Sequence, residues 1–182
     1  MIKREEREDL VGQKSKIIWI TGLSGSGKTT IARALDEYLH HEGILSYVLD
    51  GDVLRSGLNS NLGLSEEDRN ENIRRAYEVA NILADLGAVV ICAFISPYVE
   101  MRDEARQSAK VPFIEVYLDC PVEECAKRDP KGLYAKHKAG VIKGLTGVDA
   151  PYEKPKSPDL VLKTKEQSVQ KCVEIIMNLI NS

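Results

Sequence analysis

Short apolar runs alternate along the chain with longer stretches in which apolar residues recur every three or four positions. Lys16–Thr21 (KIIWIT), Leu45–Leu49 (LSYVL), Ala88–Ile95 (AVVICAFI), Phe113–Leu118 and Leu160–Leu162 read as strands. Helical spacing predicts helices over Lys28 to His41, Pro97 to Ser108, Pro121 to Arg128 and Gln167 to Ile180. A further helix carries Ile73, Ala76, Tyr77, Ala80, Leu83 and Ala84 on one face, starts at the Ser65/Asp68 cap signal and stops at Gly87. Mostly continuous apolar strands alternating with helices predict an α/β fold: a three-layer sandwich with a five-stranded parallel sheet covered on both faces.

Two segments depart from this alternation. Residues 129–158 are rich in Gly, Lys and Pro and have little apolar periodicity. A loop that long in a compact domain is usually functional, and it is read here as a mobile lid and acceptor-site loop. Residues 1–15 are charged and are read as an arm preceding a single domain over 16–182.

Composition narrows the functional classes. The 182 residues suffice for one domain with a real core, and their net charge of −3 gives no global attraction to nucleic acid or to a membrane surface. Any anionic ligand must therefore meet a local cluster of cations. No apolar run approaches the roughly 20 residues of a membrane span, and the charged N-terminus lacks the apolar stretch of a signal peptide, so the cytoplasm is the expected location. Cys92, Cys120, Cys125 and Cys172 form no C-x-x-C pair and have no His at ligand spacing, which predicts reduced and mostly buried thiols.

The sharpest motif is Gly22–Thr29, GLSGSGKT, which meets every fixed position of G-x-x-x-x-G-K-[ST] between a predicted strand and a predicted helix. Gly22, Leu23, Ser24, Gly25, Ser26, Gly27, Lys28, Thr29 and Thr30 are thus expected to hold ATP. Glycines let backbone N–H groups turn inward around phosphates, and the helix N-terminus adds partial positive charge. Lys28 is expected at the β- and γ-phosphates and Thr29 at magnesium, the expected cofactor. The chain lacks the N-K-x-D motif of a GTP switch. A nucleotide site alone does not specify a reaction, so a nucleotide-dependent binding module stays open beside a P-loop kinase for a small molecule, the class that small size and a lid favour.

Asp50-Gly51-Asp52 follows the second strand, where open α/β folds bind ligands. Its carboxylates suit magnesium or an acceptor hydroxyl's proton, and equally a solvated turn. Arg69 and Asn72 share a helix face, with Arg55 just upstream. Two guanidinium groups beside an amide suit an anionic acceptor bearing phosphate or sulfate oxygens. The same face, with Glu66, Glu67, Asp68 and Glu71, also reads as a solvated set of ion pairs.

These motifs carry a resemblance. GLSGSGKTT (Gly22–Thr30), LDGD (Leu49–Asp52), DRNENIRR (Asp68–Arg75), FISPY (Phe94–Tyr98), RDPKGLYAKHKAG (Arg128–Gly140), IKGLTGVD (Ile142–Asp149) and YEKP (Tyr152–Pro155) make the chain similar to the adenylylsulfate kinase family from about Lys16 to Ile180. That resemblance implies transfer from ATP to the 3′-hydroxyl of adenosine 5′-phosphosulfate, and a homodimer; the charge balance and the lack of a membrane-length apolar run lead to the expectation of no nucleic-acid or membrane partner. It places Asp52 by magnesium and the acceptor hydroxyl, and Arg55, Arg69 and Asn72 on the acceptor. Ile95, Ser96 and Thr146 line the acceptor site, and Lys131 approaches the reacting phosphates. Arg128, Thr164 and Cys172 lie near the ATP base. In some members the serine matching Ser96 is phosphorylated. Leu64 and Leu145 stand where the family carries two phenylalanines that sandwich the acceptor's adenine, which leaves open a related kinase for another nucleotide-like acceptor such as a cytidine diphosphoramidate. No acid ends the third strand, so magnesium is expected to rely on Thr29, the phosphates, water and Asp52.

Overall fold

The central strand explains the layering. In β1, Lys16–Thr21, Ile17 and Trp19 point to one face and Ile18 and Ile20 to the other, and all four are buried. In the computed structural model, which describes residues 2–181, β1 lies in the middle of a five-stranded sheet, as the apolar run predicts. The remaining strands are β2 Ser46–Asp50, β3 Val89–Ala93, β4 Phe113–Leu118 and β5 Leu160–Leu162. Their order is β2-β3-β1-β4-β5, and every pairing is parallel.

Helices cover both faces. α2, Lys28–His41, and α8, Val169–Ile180, pack against Ile18, Ile20, Val89 and Ile91. α4, Glu66–Asp85, and α5, Val99–Ser108, cover Ile17, Trp19, Val90 and Cys92. Within the second layer the Trp19 ring stacks on Phe94 and Phe113, with centroids 5.2 Å and 5.8 Å away. Full burial of one large side chain of this kind contributes on the order of 2–3 kcal/mol. The Ser65 cap is real: its side chain accepts from the Asp68 N–H at 3.1 Å. All four cysteines are free and buried.

Three short helices were not legible in the apolar pattern: α1 Arg4–Val11, α3 Gly51–Ser56 and α7 Leu133–Lys138. Each buries only one side chain, Glu8, Leu54 or Tyr134, so none shows an apolar face. The completed set includes α6, Val122–Arg128. α1 gives residues 1–15 a defined structure. This charged segment is a helix held to the rest of the chain through an Arg7–Asp85 ion pair and the Gln13 amide. Gln13 Nε2 donates to Leu45 O at 2.9 Å and Gly87 O at 2.8 Å, while its Oε1 accepts from Leu45 N at 2.8 Å.

Residues 129–158 are also more built than their composition suggested. They contain α7 and a bridge between Thr146 and Ala150. Tyr134 and Leu145 pack with Leu23, Cys120 and Cys125 in a small apolar cluster beside the phosphate loop. At the far end of this segment, Arg102 of α5 is almost completely buried. Its guanidinium donates to Glu115 Oε1 at 2.9 Å, Ser96 O at 2.5 Å and Glu153 O at 2.7 Å.

Candidate active site

The C-terminal ends of β1, β2 and β3 open into one cavity of about 600 Å³. Parallel sheets bind ligands at this edge because the strand-to-helix turns there present free backbone N–H groups and side chains. One end of the cavity is the loop between β1 and α2. Gly25 has φ +77°, and a Cβ there would stand 2.7 Å from Cys125 O, so the loop closes on its neighbour only with glycine. Lys28 Nζ donates to the carbonyls of Gly22 and Leu23 at 2.9 Å and 2.8 Å. Burial of the ammonium, with Lys131 nearby, lowers its pKa to about 8. A triphosphate would replace two neutral carbonyls with full negative charge.

That substitution gives a measurable proton balance. Free Lys28 is partly neutral just above pH 8 and should be fully protonated against phosphates. Nucleotide binding near pH 8.5 should therefore take up roughly three-quarters of a proton, given a pKa of about 8. Calorimetry in buffers of different ionisation enthalpy should show this uptake, its disappearance near pH 6.5, and its absence in Lys28→Met.

The next group is hard oxygen. Thr29 Oγ1 donates to Asp50 Oδ2 at 2.7 Å, and Asp50 Oδ1 accepts from Asp52 N at 2.9 Å. Asp50, buried at the end of β2, is therefore the carboxylate beside Thr29. The Asp52 carboxylate instead points to Lys131, with which it forms an ion pair. A hydroxyl and a carboxylate oxygen beside a phosphate cradle fit magnesium, which favours oxygen ligands and keeps several waters. Of the two carboxylates that flank Gly51, Asp50 is thus the neighbour of Thr29, and Asp52 stands by Lys131. The position of Asp50 as the last residue of β2 was the available signal.

Arg128, Thr164 and Cys172 line the same end. Arg128 donates to Thr164 O at 2.7 Å, and Thr164 Oγ1 donates to Ser26 O at 2.8 Å. Gln167, Ser168 and Val169, at the start of α8, join them and were missed because cap residues carry no motif of their own.

Asp52, Arg55, Leu64, Arg69, Asn72, Ile95, Ser96 and Lys131 line the opposite end. The two readings of the charged helix face divide between neighbours. Arg74 and Arg75 pair with Glu71, whereas Arg55 and Arg69 face the cavity. Arg69 is already heavily committed: it donates to Leu64 O at 2.9 Å, Thr146 Oγ1 at 2.8 Å and Gly144 O at 3.0 Å. It ties residues 144–146 to α4. Arg55 donates to Gly63 O at 3.0 Å, and its pKa is lowered by burial and by Arg69, as befits a site short of an anion.

Several expected residues do not reach the cavity. Leu145 is buried in the apolar cluster, and Thr146 is buried under Arg69; neither is among the lining residues. Gly22 and Leu23 also lie behind the wall and contribute carbonyls to Lys28. Leu64 does line the mouth and is 63% exposed, so the two leucines do not face each other across the site. Ser96 has φ +40°, an uncommon conformation for a residue with a side chain. Its hydroxyl accepts from Trp19 Nε1 at 3.2 Å and donates to Thr21 Oγ1 at 3.0 Å, and the residue is 2% exposed.

Comparison with known proteins places this site in a family. Residues 14–163 match the family model described as adenylylsulphate kinase. The adenylyl-sulfate kinase of Clostridium acetobutylicum is 53% identical over 97% of this chain and 88% of its own length. That of Clostridium kluyveri is 51% identical over 100% and 91%. Among solved structures, the Mycobacterium tuberculosis APS kinase CysC in complex with AMPPNP and APS superposes with a TM-score of 0.89 at 46% identity, covering 93% of this chain and 99% of that one. Agreement of this extent in both sequence and backbone means that the chain belongs to the adenylylsulfate kinase family.

Proposed function

We propose that this protein transfers the γ-phosphoryl group of ATP to the 3′-hydroxyl of adenosine 5′-phosphosulfate, giving ADP and 3′-phosphoadenylylsulfate. The observation that carries the reading is one cavity holding Lys28 and its phosphate loop at one end and Asp52, Arg55 and Asn72 at the other. The names of the family members and the AMPPNP and APS bound to the Mycobacterium tuberculosis protein support it.

The chain's own groups supply positioning and charge, which is most of what phosphoryl transfer needs. The triphosphate draws Lys28 away from the Gly22 and Leu23 carbonyls. Thr29 and Asp50 would hold magnesium, which neutralises phosphate oxygens when bound. Arg55 meets the acceptor's anionic end, and Asn72 an adjacent polar group. Asp52 takes up the proton of the acceptor hydroxyl, and Lys131, released from Asp52, meets the charge on the transferred group. Closure of residues 129–158 excludes water from the reacting groups. The enclosed Ser96 hydroxyl favours direct in-line transfer over a phosphoserine intermediate.

The decisive assay is ADP release with candidate acceptors. Adenosine 5′-phosphosulfate should be used with kcat/KM of about 10⁴ M⁻¹s⁻¹ or more. Turnover confined to a cytidine diphosphoramidate would overturn the acceptor and leave the ATP half intact. In the same assay Asp52→Asn should lower kcat about a hundredfold, the low end for a general base, with little change in the KM for ATP. A fall within about twofold would remove Asp52 from proton transfer.

Homodimer assembly is proposed from the resemblance, and light scattering tests it. Among the described residues no helix is long and apolar enough to cross a membrane.

A further inference from the structure

Behind the acceptor end of the cavity lies a pair of amides. Asn72 of α4 lines the cavity and is 6% exposed. Asn59, in the turn between α3 and α4, is fully buried and is not among the lining residues. Its backbone is held on both sides, donating to Leu54 O at 2.7 Å and accepting from Leu62 N at 3.1 Å.

Asn59 Nδ2 donates to Asn72 Oδ1 at 3.0 Å and lies 3.5 Å from the Asn72 main-chain oxygen. A main-chain oxygen only accepts, so the Asn59 amide must present its NH₂ group to Asn72. The Asn72 side chain must then answer with its oxygen. Its two amide orientations, otherwise nearly equivalent in shape, are reduced to one. Asn72 Nδ2 is left without a protein acceptor among the described residues, on a side chain that borders the cavity.

The other end of Asn59 is as informative. Its Oδ1 is buried and has no hydrogen-bond partner among the described residues. Buried polar atoms are nearly always satisfied, so leaving this oxygen without a protein partner is costly. Asn59 uses only its donor end, and that end acts on a residue of the site.

We infer that Asn59 is a positioning residue for the acceptor: by holding Asn72 Oδ1 it turns the Asn72 NH₂ group toward the cavity, where it selects a lone pair on the acceptor nucleotide. The inference rests on the reading that Asn72 faces the acceptor. Asn59 touches neither substrate, so its effect passes entirely through Asn72.

The test is a double-mutant cycle on the full chain, with Michaelis constants for adenosine 5′-phosphosulfate and ATP and the thermal midpoint. Asn59→Ala should raise the acceptor KM about tenfold, the size of one mispositioned hydrogen bond, with the ATP KM within about twofold. In an Asn72→Ala background the same change should add nothing to the acceptor KM. Asn59→Asp, close in shape, accepts from the Asn72 NH₂ group and turns its oxygen to the cavity. It should raise the acceptor KM at least as much, and it keeps the test alive where Asn59→Ala does not fold. Equal rises for both substrates, or full additivity with Asn72→Ala, would overturn the inference. An Asn72→Ala variant with an unchanged acceptor KM would instead remove the reading beneath it. A raised acceptor KM in Asn72→Ala with none in Asn59→Ala would remove this inference alone.

Discussion

Replacing Lys28 with methionine should lower kcat/KM by about a thousandfold or more while leaving the fold intact. Removal of one neutral donor from a preorganised anion site costs about 10²–10³ in rate, and a full charge at the transferring phosphoryl group contributes more. The fold has little to lose. Among the described residues the ammonium bonds only to the carbonyls of Gly22 and Leu23, and its burial disfavours the charge and lowers its pKa. The sign follows from linkage. A lysine whose folded pKa is below its unfolded value destabilises the protein wherever both states are protonated, and this penalty is relieved as pH rises from about 8 toward the unfolded value of 10.5. Lys28→Met removes the penalty, so its thermal midpoint at neutral pH should equal or exceed that of the parent. A variant with near-normal turnover would sink the assignment of the loop. One with a collapsed midpoint would show that Lys28 serves the fold.

The second large effect lies in stability. Arg102→Leu should cost about 3–5 kcal/mol, the usual penalty for breaking a buried ion pair by removing one partner. Arg102 and Glu115 are both buried, and the guanidinium also satisfies the carbonyls of Ser96 and Glu153. Arg106 approaches Glu115 at 3.6 Å but is largely taken up by Asp159 at 2.6 Å, so it is a poor substitute. For a chain of this size the loss corresponds to a fall of roughly 10 °C in the thermal midpoint. The double change Arg102→Leu with Glu115→Leu should recover much of it, because a well-packed apolar pair can match a buried ion pair. The acceptor KM should also rise in Arg102→Leu. Without that anchor, the Ser96 turn and the Glu153 end of residues 129–158 each lose a hydrogen bond, although Trp19 and Thr21 still hold Ser96 and the Pro97 oxygen and Val99 N–H still hold Glu153. A midpoint unchanged in Arg102→Leu would show that water or Arg106 replaces these bonds.

The donor half of the protein was legible in its sequence for a simple reason: its parts are contiguous. The apolar runs of Ile17–Ile20 and Val89–Cys92 could only be strands covered on both faces, and both are buried as read. The phosphate-loop motif is eight successive residues with its glycines, lysine and threonine at fixed spacing, so it could be read from spacing alone. Strand-to-helix connectivity then placed Asp50, Asp52 and Ser96 at the same edge of the sheet.

The acceptor half depended on contacts that no local pattern encodes. Asp50 and Asp52 are two residues apart and chemically identical, yet one faces Thr29 and the other Lys131, because α3 begins between them and turns their side chains apart. Arg69 reaches Gly144 and Thr146, more than seventy residues later, and so ties two distant segments together as well as lining the cavity. Leu145 went into an apolar cluster with Leu23 and Tyr134, where burial of a leucine is worth more than exposure at a cavity wall. Sequence by itself determined the sheet, the phosphate loop and the inventory of charges. Tertiary structure decided which carboxylate meets which cation and which way the Asn72 amide faces, since hydrogen-bond direction depends on partners brought together only by the fold.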